Sequence, residues 1–104
     1  MLLLRVVSRD ETKLDTVADV LLEERLGIDL NLSRNIERIQ LVEGEKVRTK
    51  VHLLTAKTKA LLFPMIDQRL RNIFKEDLPE IYSLPIIHMD WQQAEQLIEG
   101  VRGV

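Results

Sequence analysis

From residue 28 to residue 56 the chain reads IDLNL, then IERIQLV, then EGEK around the hairpin tip, then VRTKVHLLTA, and this order constrains the fold more than any other feature. Two runs rich in β-branched and aliphatic residues flank a single glycine, Gly44. Glycine takes positive backbone torsions without a steric cost, as a tight hairpin turn requires, so the segment is predicted to be one long two-stranded hairpin.

The rest of the chain is read around that hairpin. LLLRVV, residues 2–7, is an apolar run of strand length. It is short, broken by Arg5, and has neither a basic leader nor a small-residue cleavage site, so it reads as a buried strand and not as a signal peptide. Ser8 and Glu11 have the spacing of a capping box and predict a helix start. Leu14, Val17, Ala18, Leu21, Leu22 and Leu26 follow at helical spacing until Gly27, which is expected to end the helix. After the hairpin, Leu62, Ile66, Leu70 and Ile73 form the stripe of a second helix over about 61–74, with Pro64 in its first turn or at a kink. LPEIYSLPI, residues 78–86, supplies a fourth strand. Proline cannot donate to a sheet ladder, so Pro79 and Pro85 should mark where its pairing starts and stops. DWQQAEQLIEGV predicts a short last helix capped by Asp90, with Trp91, Ala94, Leu97, Ile98 and Val101 facing inward.

The resulting order, β-α-β-β-α-β plus a tail helix, is the α+β arrangement called split βαβ or ferredoxin-like: two helices on one face of a four-stranded antiparallel sheet. At 104 residues the chain makes one domain, 1–104. Its other sheet face needs a use. RNA-binding sheets of this topology stack bases on aromatics, and LLLRVV and VRTKVHLLT contain none. Fifteen basic against seventeen acidic residues, net charge -2, offer no general attraction for nucleic acid or an anionic membrane. Burial against copies of the same chain is the better use for an apolar face. Cysteine is absent, which removes disulfides and thiolate chemistry and fits a reducing compartment, so a cytoplasmic protein is expected.

The residues also resemble the divalent-cation tolerance (CutA) family. LLEERLGIDLN is similar to that family's passage from the first helix into the second strand, VEGE to its hairpin tip, Lys57 and Thr58 to the pair closing its third strand, and LPEIYSLPI to its signature strand. The match runs from about Val6 to Ile86. The resemblance implies a homotrimer, similar in architecture to the PII signal proteins, with the fourth strand where subunits meet and a small anionic ligand or divalent cation held between them. Residues placed by that implication at the cleft are Asp29, Glu43, His52 and Glu80. Those placed at the trimer interface are Ile39, Leu41, Val42, Val47, Val51, Pro79 and Pro85. The hairpin mixes apolar and polar side chains on both faces, as partial burial by neighbouring subunits requires.

Departures from the family pattern bear on function. Asp29 stands where the family usually carries cysteine, Gln40 and Val42 where it carries tyrosine and tryptophan, and Phe74 to Glu76 where it carries a His-Pro-Tyr run. A soft copper ion prefers thiolate, thioether or imidazole ligands, and three methionines and two histidines without ligand spacing do not make such a site, so no metal site and no cofactor is expected. These losses leave two readings open: a trimer that binds a small ligand or ion, and a trimeric interaction or scaffold protein that has lost its ligand site.

Arg48, Lys50 and His52 alternate onto one side of the third strand as a basic stripe, with Glu37 a cross-strand neighbour of His52. His88, beside Met89 and Asp90, reads as polar surface more readily than as a ligand. Catalysis has little support. Glu23 and Glu24 point about 100° apart on a helix and do not converge. Glu80 has no histidine or serine placed to form a relay, and no glycine loop cradles phosphate, so the chain is not expected to be an enzyme.

Overall fold

The computed structural model describes residues 1–104. Strand β1 (Leu2–Ser8), helix α1 (Glu11–Glu23), strands β2 (Ile28–Val42) and β3 (Glu45–Thr58), helix α2 (Phe63–Phe74), strand β4 (Glu80–Pro85) and helix α3 (Trp91–Gly100) follow in the predicted order. They form one antiparallel sheet in the order β2-β3-β1-β4, so β2 and β4 are its edges. No helix is long and apolar enough to cross a membrane.

Register decides which side chains meet the helices. Leu4 and Val6 on β1 oppose Ala56 and Leu54 on β3, all four buried, and they pack with Leu14, Val17 and Leu21 of α1 and Ile66 and Leu70 of α2. Leu97 and Val101 close the same cluster from α3. Leu3, Arg5 and Val7 alternate onto the opposite face, with Leu53 and Tyr82 beside them. Thr58, fully buried, donates its hydroxyl to the carbonyl of Leu26 at 2.6 Å and ties the end of β3 to the loop after α1.

The helix ends differ from the sequence reading. Ser8 is not the cap of α1; its hydroxyl accepts the Asp10 N–H at 3.0 Å, and Asp10 is the N-cap. The Asp10 carboxylate accepts the Thr12 N–H at 2.9 Å and the Thr12 hydroxyl at 2.6 Å. At the other end Gly27 is not the terminator. Arg25 takes a φ of 53°, and the Arg25 and Leu26 N–H groups bond back to Leu22 and Leu21, the paired bonds of a Schellman motif. Leu22, expected on the apolar stripe, is exposed, and so are Trp91 and Ile98 of α3, whose buried residue is Leu97, with Val101 just past the helix end also buried and Ala94 half-buried. Ile73 likewise lies at the margin of α2, whose buried stripe is Ile66 and Leu70, continuing from Leu62. Pro64 sits in the first turn of α2, where its missing N–H costs nothing.

The Thr12 hydroxyl bond is the largest reason that the Asp10 carboxyl titrates below its ordinary 3.8, followed by the Thr12 backbone N–H. A lowered folded-state pKa stabilises the fold above the unfolded value, and this contribution disappears as pH falls through the folded value. In an NMR titration Asp10 should titrate below 3.8, and Thr12→Val should move the midpoint back up. An unchanged midpoint in Thr12→Val would assign the shift to something other than this cap.

The hairpin turns at Glu43 and Gly44, with φ of 50° and 81°. Two positive torsions in succession match the twist of a two-residue hairpin turn. Strand β2 also carries two one-residue bulges, between Ile28 and Asn31 and between Ser33 and Ile36, with Asp29 and Asn35 at φ of 51° and 57°. Each extra residue flips the alternation. Asn31 and Ser33 therefore share a face with Ile36, Arg38, Gln40 and Val42, although their numbers differ in parity.

Candidate functional site

The helix-free face carries a groove of about 140 Å³ between the strands and the curled-over hairpin. Its floor is Val7, Val51, Leu53 and Ile36, Arg5, Arg38 and Tyr82 stand around it, and Glu37 borders it although the register turns its side chain to the other face. Val7 and Val51 are only 5% and 4% exposed even though no helix covers this side. Side chains from the two edge strands provide the cover.

Arg5 interrupts an apolar strand, and Tyr82 lies directly opposite it on β4. Directly opposed residues bring their side chains within contact range. The Arg5 guanidinium lies 5.5 Å from the centre of the Tyr82 ring, and its Nε donates to the phenol oxygen at 2.7 Å. Cation–π attraction and this bond hold the guanidinium in a single orientation. On the far side Arg38 of β2 pairs with Glu80 of β4, the two edge strands. Arg38 opposes Thr49, whereas Glu80 opposes Val7 and, through it, Leu53. On a flat sheet their Cα atoms would lie roughly 20 Å apart, so the pair forms because the sheet twists and coils the hairpin back over its own face. Glu37 is held by Arg48 at 2.9 Å.

The four residues expected at a cleft do not come together within the chain. Asp29 sits at the first bulge of β2, 3.3 Å from the Lys57 amino group. Glu43 is at the hairpin tip, fourteen residues further along and just past the end of β2, a span of roughly 45 Å. Glu80 is on the helix-free face, opposite Val7. His52 is on the other face, opposite Ser8 and 8% exposed. It is not a member of a solvated basic stripe, and Glu37 is not its neighbour. Glu37 opposes Lys50, while His52 Nδ1 accepts the N–H of Asn35 at 3.1 Å and lies 3.4 Å from Glu11. The second bulge of β2 puts the Asn35 N–H there.

Of the residues expected at an interface, Ile39, Leu41, Val42 and Val47 are exposed along the hairpin, Leu41 by 77%. Val51 is already buried by its own chain, and Pro79 and Pro85 bracket the pairing of β4 with β1 as the sequence predicts. No group of three histidine or acidic side chains stands ready to hold a metal ion. Asp29 and Glu80 face cations of their own chain, and His52 Nδ1 already accepts a backbone N–H, so one subunit's residues do not fit a divalent cation. Arg5, Arg38 and Tyr82 were not singled out from the sequence. The charge of Arg5 inside an apolar run was the available signal.

Comparison with known proteins places this geometry. The CutA1 divalent ion tolerance protein family matches residues 2–97. A divalent-cation tolerance protein CutA from Thermus thermophilus is 33% identical over 81 residues, covering 73% of this chain and 79% of its own. A solved structure of the divalent cation tolerance protein Cut A1 from Thermus thermophilus superposes with a TM-score of 0.82 at 28% identity, covering 98% of this chain and all of that one. The periplasmic divalent cation tolerance protein CutA from Archaeoglobus fulgidus shares the fold, with a TM-score of 0.81 at 18% identity over 98% of this chain and all of that one.

Proposed function

This chain belongs to the CutA1 divalent ion tolerance family, and from that premise we propose that it works as a non-enzymatic homotrimer binding a small ligand or ion between subunits. The observation that supports the reading is the pair of unpaired sheet edges. Strand β2 offers an outer edge along its fifteen residues and β4 offers the other, and the hairpin that carries β2 exposes Ile39, Leu41, Val42 and Val47. Long apolar edges in water invite pairing with another chain. Two different edges meeting head to tail make a heterologous contact, which closes into a ring when the rotation allows. Trimerisation covers both edges and the helix-free face at once. Convergence of Asp29, Glu43, His52 and Glu80 would then be a matter of different subunits. The cytoplasmic address belongs to the same proposal, and because the Archaeoglobus relative is periplasmic, cell fractionation is its check.

Native mass spectrometry at micromolar concentration should give a trimer, and a well-folded monomer overturns the reading. Copper, zinc and phosphate added singly to that trimer separate a binding protein from a scaffold. The scaffold reading draws support from Asp29 and Glu80, each of which faces a cation of its own chain, and a trimer that stays empty would favour it. Turnover of any substrate, abolished by Glu80→Gln with assembly intact, would contradict the non-enzymatic part.

A further inference from the structure

The second bulge of β2 is held by a side chain that can change its charge. Asn35 stands there at a φ of 57°, a left-handed torsion that a residue other than glycine keeps only where its neighbours hold it. The His52 ring holds it, because its Nδ1 accepts the Asn35 N–H at 3.1 Å. His52 lies on the helix side of the sheet, opposite Ser8 and 8% exposed, away from the helix-free face. The same Nδ1 is 3.4 Å from the Glu11 carboxylate at the start of α1. A ring nitrogen accepts through its lone pair when unprotonated and donates when it carries a proton, so Nδ1 can serve Asn35 in one state and Glu11 in the other. The remaining charges around the ring are engaged or less direct. The Asp10 carboxylate is taken by Thr12, Arg34 of β2 shares Glu11 at 3.6 Å, and Glu37 of β2 pairs with Arg48. Lys50 follows His52 by two residues on the same face of β3, and β1 presents the neutral Ser8.

We propose that this bulge is a proton-operated latch on the hairpin: a proton on His52 Nδ1 turns that nitrogen from acceptor of the Asn35 N–H into donor to the Glu11 carboxylate, and the bulge is released. The proton comes from water and returns to it, and no covalent bond other than N–H changes. Release matters because the bulge decides which face each later residue of β2 shows. Ile36, Arg38, Gln40 and Val42 lie on the helix-free face only with the extra residue in place. Arg38 reaches Glu80 from that face, so a freed bulge also loosens the cover over Val51. The sign follows from which form of the ring does the holding. Histidine changes charge between about pH 5 and 8, so the hairpin is held at the alkaline end of that range and released at the acidic end. This inference goes beyond the binding reading above and stands on a single folded chain. It bears on assembly as well, since β2 is one of the two sheet edges that the trimer would pair.

Nitrogen-15 NMR of the full chain across that pH range tests it. The His52 ring nitrogens and the Asn35 amide should move together with one midpoint. Across it the Asn35 amide should lose about tenfold in protection against hydrogen exchange, after correction for the intrinsic effect of pH, as expected for one lost hydrogen bond. The ring of His88, after β4, is the internal comparison and should leave Asn35 unmoved. His52→Gln replaces Nδ1 with a carbonyl, an acceptor that does not titrate, and should abolish the pH response at Asn35. Glu11→Gln removes the carboxylate that receives the protonated nitrogen and should shift the shared midpoint to lower pH. Glu11 is half-exposed, so this variant carries the test should His52→Gln fail to fold. An Asn35 amide that ignores the His52 ring, a response that persists in His52→Gln, or an unmoved midpoint in Glu11→Gln overturns the proposal. Native mass spectra at the two ends of the range keep the latch and the trimer apart. A trimer that parts only at the acidic end, and not in His52→Gln, supports both. A trimer unchanged at both ends while Asn35 moves overturns the link to assembly and leaves the latch, whereas a monomer at both ends overturns the trimer and leaves the latch.

Discussion

Leu97→Ala should destabilise the fold by about 2–5 kcal/mol, the range for truncating a fully buried leucine whose surroundings relax only in part. Leu97 is 0% exposed and, with Val101, is what α3 contributes to the core. Around it the helix is fastened at its C-terminal end. The Arg102 N–H donates to the Arg25 carbonyl at 2.8 Å, and the Lys59 amino group reaches the carbonyls of Val101 and Arg102 at 3.2 and 3.0 Å. Gly100 lies so close to Ile28 that a Cβ there would meet its Cγ2 at 2.9 Å. The shell cannot easily collapse into the space a leucine leaves, so the cavity persists. For a domain of about 100 residues each kcal/mol shifts Tm by about 4–8 °C, so Tm should fall by roughly 8–40 °C. Ile98→Ala, at a position 52% exposed, should cost about 0.5 kcal/mol or less in the single chain. Thermal melts of the two variants decide it, and a Leu97→Ala protein that melts with the parent would show α3 to lie outside the cooperative core.

That contrast also marks where the sequence stops being informative. Strand and helix order follow from period-two and period-3.6 runs bounded by Gly44, Pro64, Pro79 and Pro85, and the sheet came out as read. Trp91 and Ile98 could not be separated from Leu97 by spacing alone, because a short helix with apolar residues over a wide arc leaves open which edge of the arc the sheet covers. Arg25 and Asn35 were hidden for another reason. Positive φ at a residue other than glycine depends on neighbours that hold it there, such as the Leu21 and Leu22 carbonyls for the first and the His52 ring for the second. The groove was less legible still. Arg38 and Glu80 are 42 residues apart, on opposite edges of the sheet, and only its coiling brings them together. Arg5 and Tyr82 are partners by register, which follows once β1 and β4 are known to be adjacent.

Two lysines placed on the same hairpin should separate folding from assembly. Val51→Lys should unfold the chain itself. Val51 is 4% exposed beneath the cover that includes Arg38, so a lysine there is a buried cation beside a second cation, and the nearby Glu80 carboxylate is already taken by Arg38. An uncompensated buried charge costs about 3–5 kcal/mol, a large part of the roughly 5–15 kcal/mol that holds an ordinary domain together. Leu41 sits opposite Lys46 near the hairpin tip and is 77% exposed, so Leu41→Lys should leave the subunit folded. If neighbouring subunits cover the tip, the same lysine must be desolvated on assembly and should release monomers that keep the parent circular dichroism spectrum. Light scattering and circular dichroism on the pair read both effects. Were Val51→Lys to stay folded, the floor of the groove would be open to water and not packed. An intact trimer in Leu41→Lys would confine the subunit contacts to the sheet edges below the tip. Dissociation with an unchanged fold would make the apolar tip part of the assembly surface, and would explain why a residue so exposed in one chain is leucine.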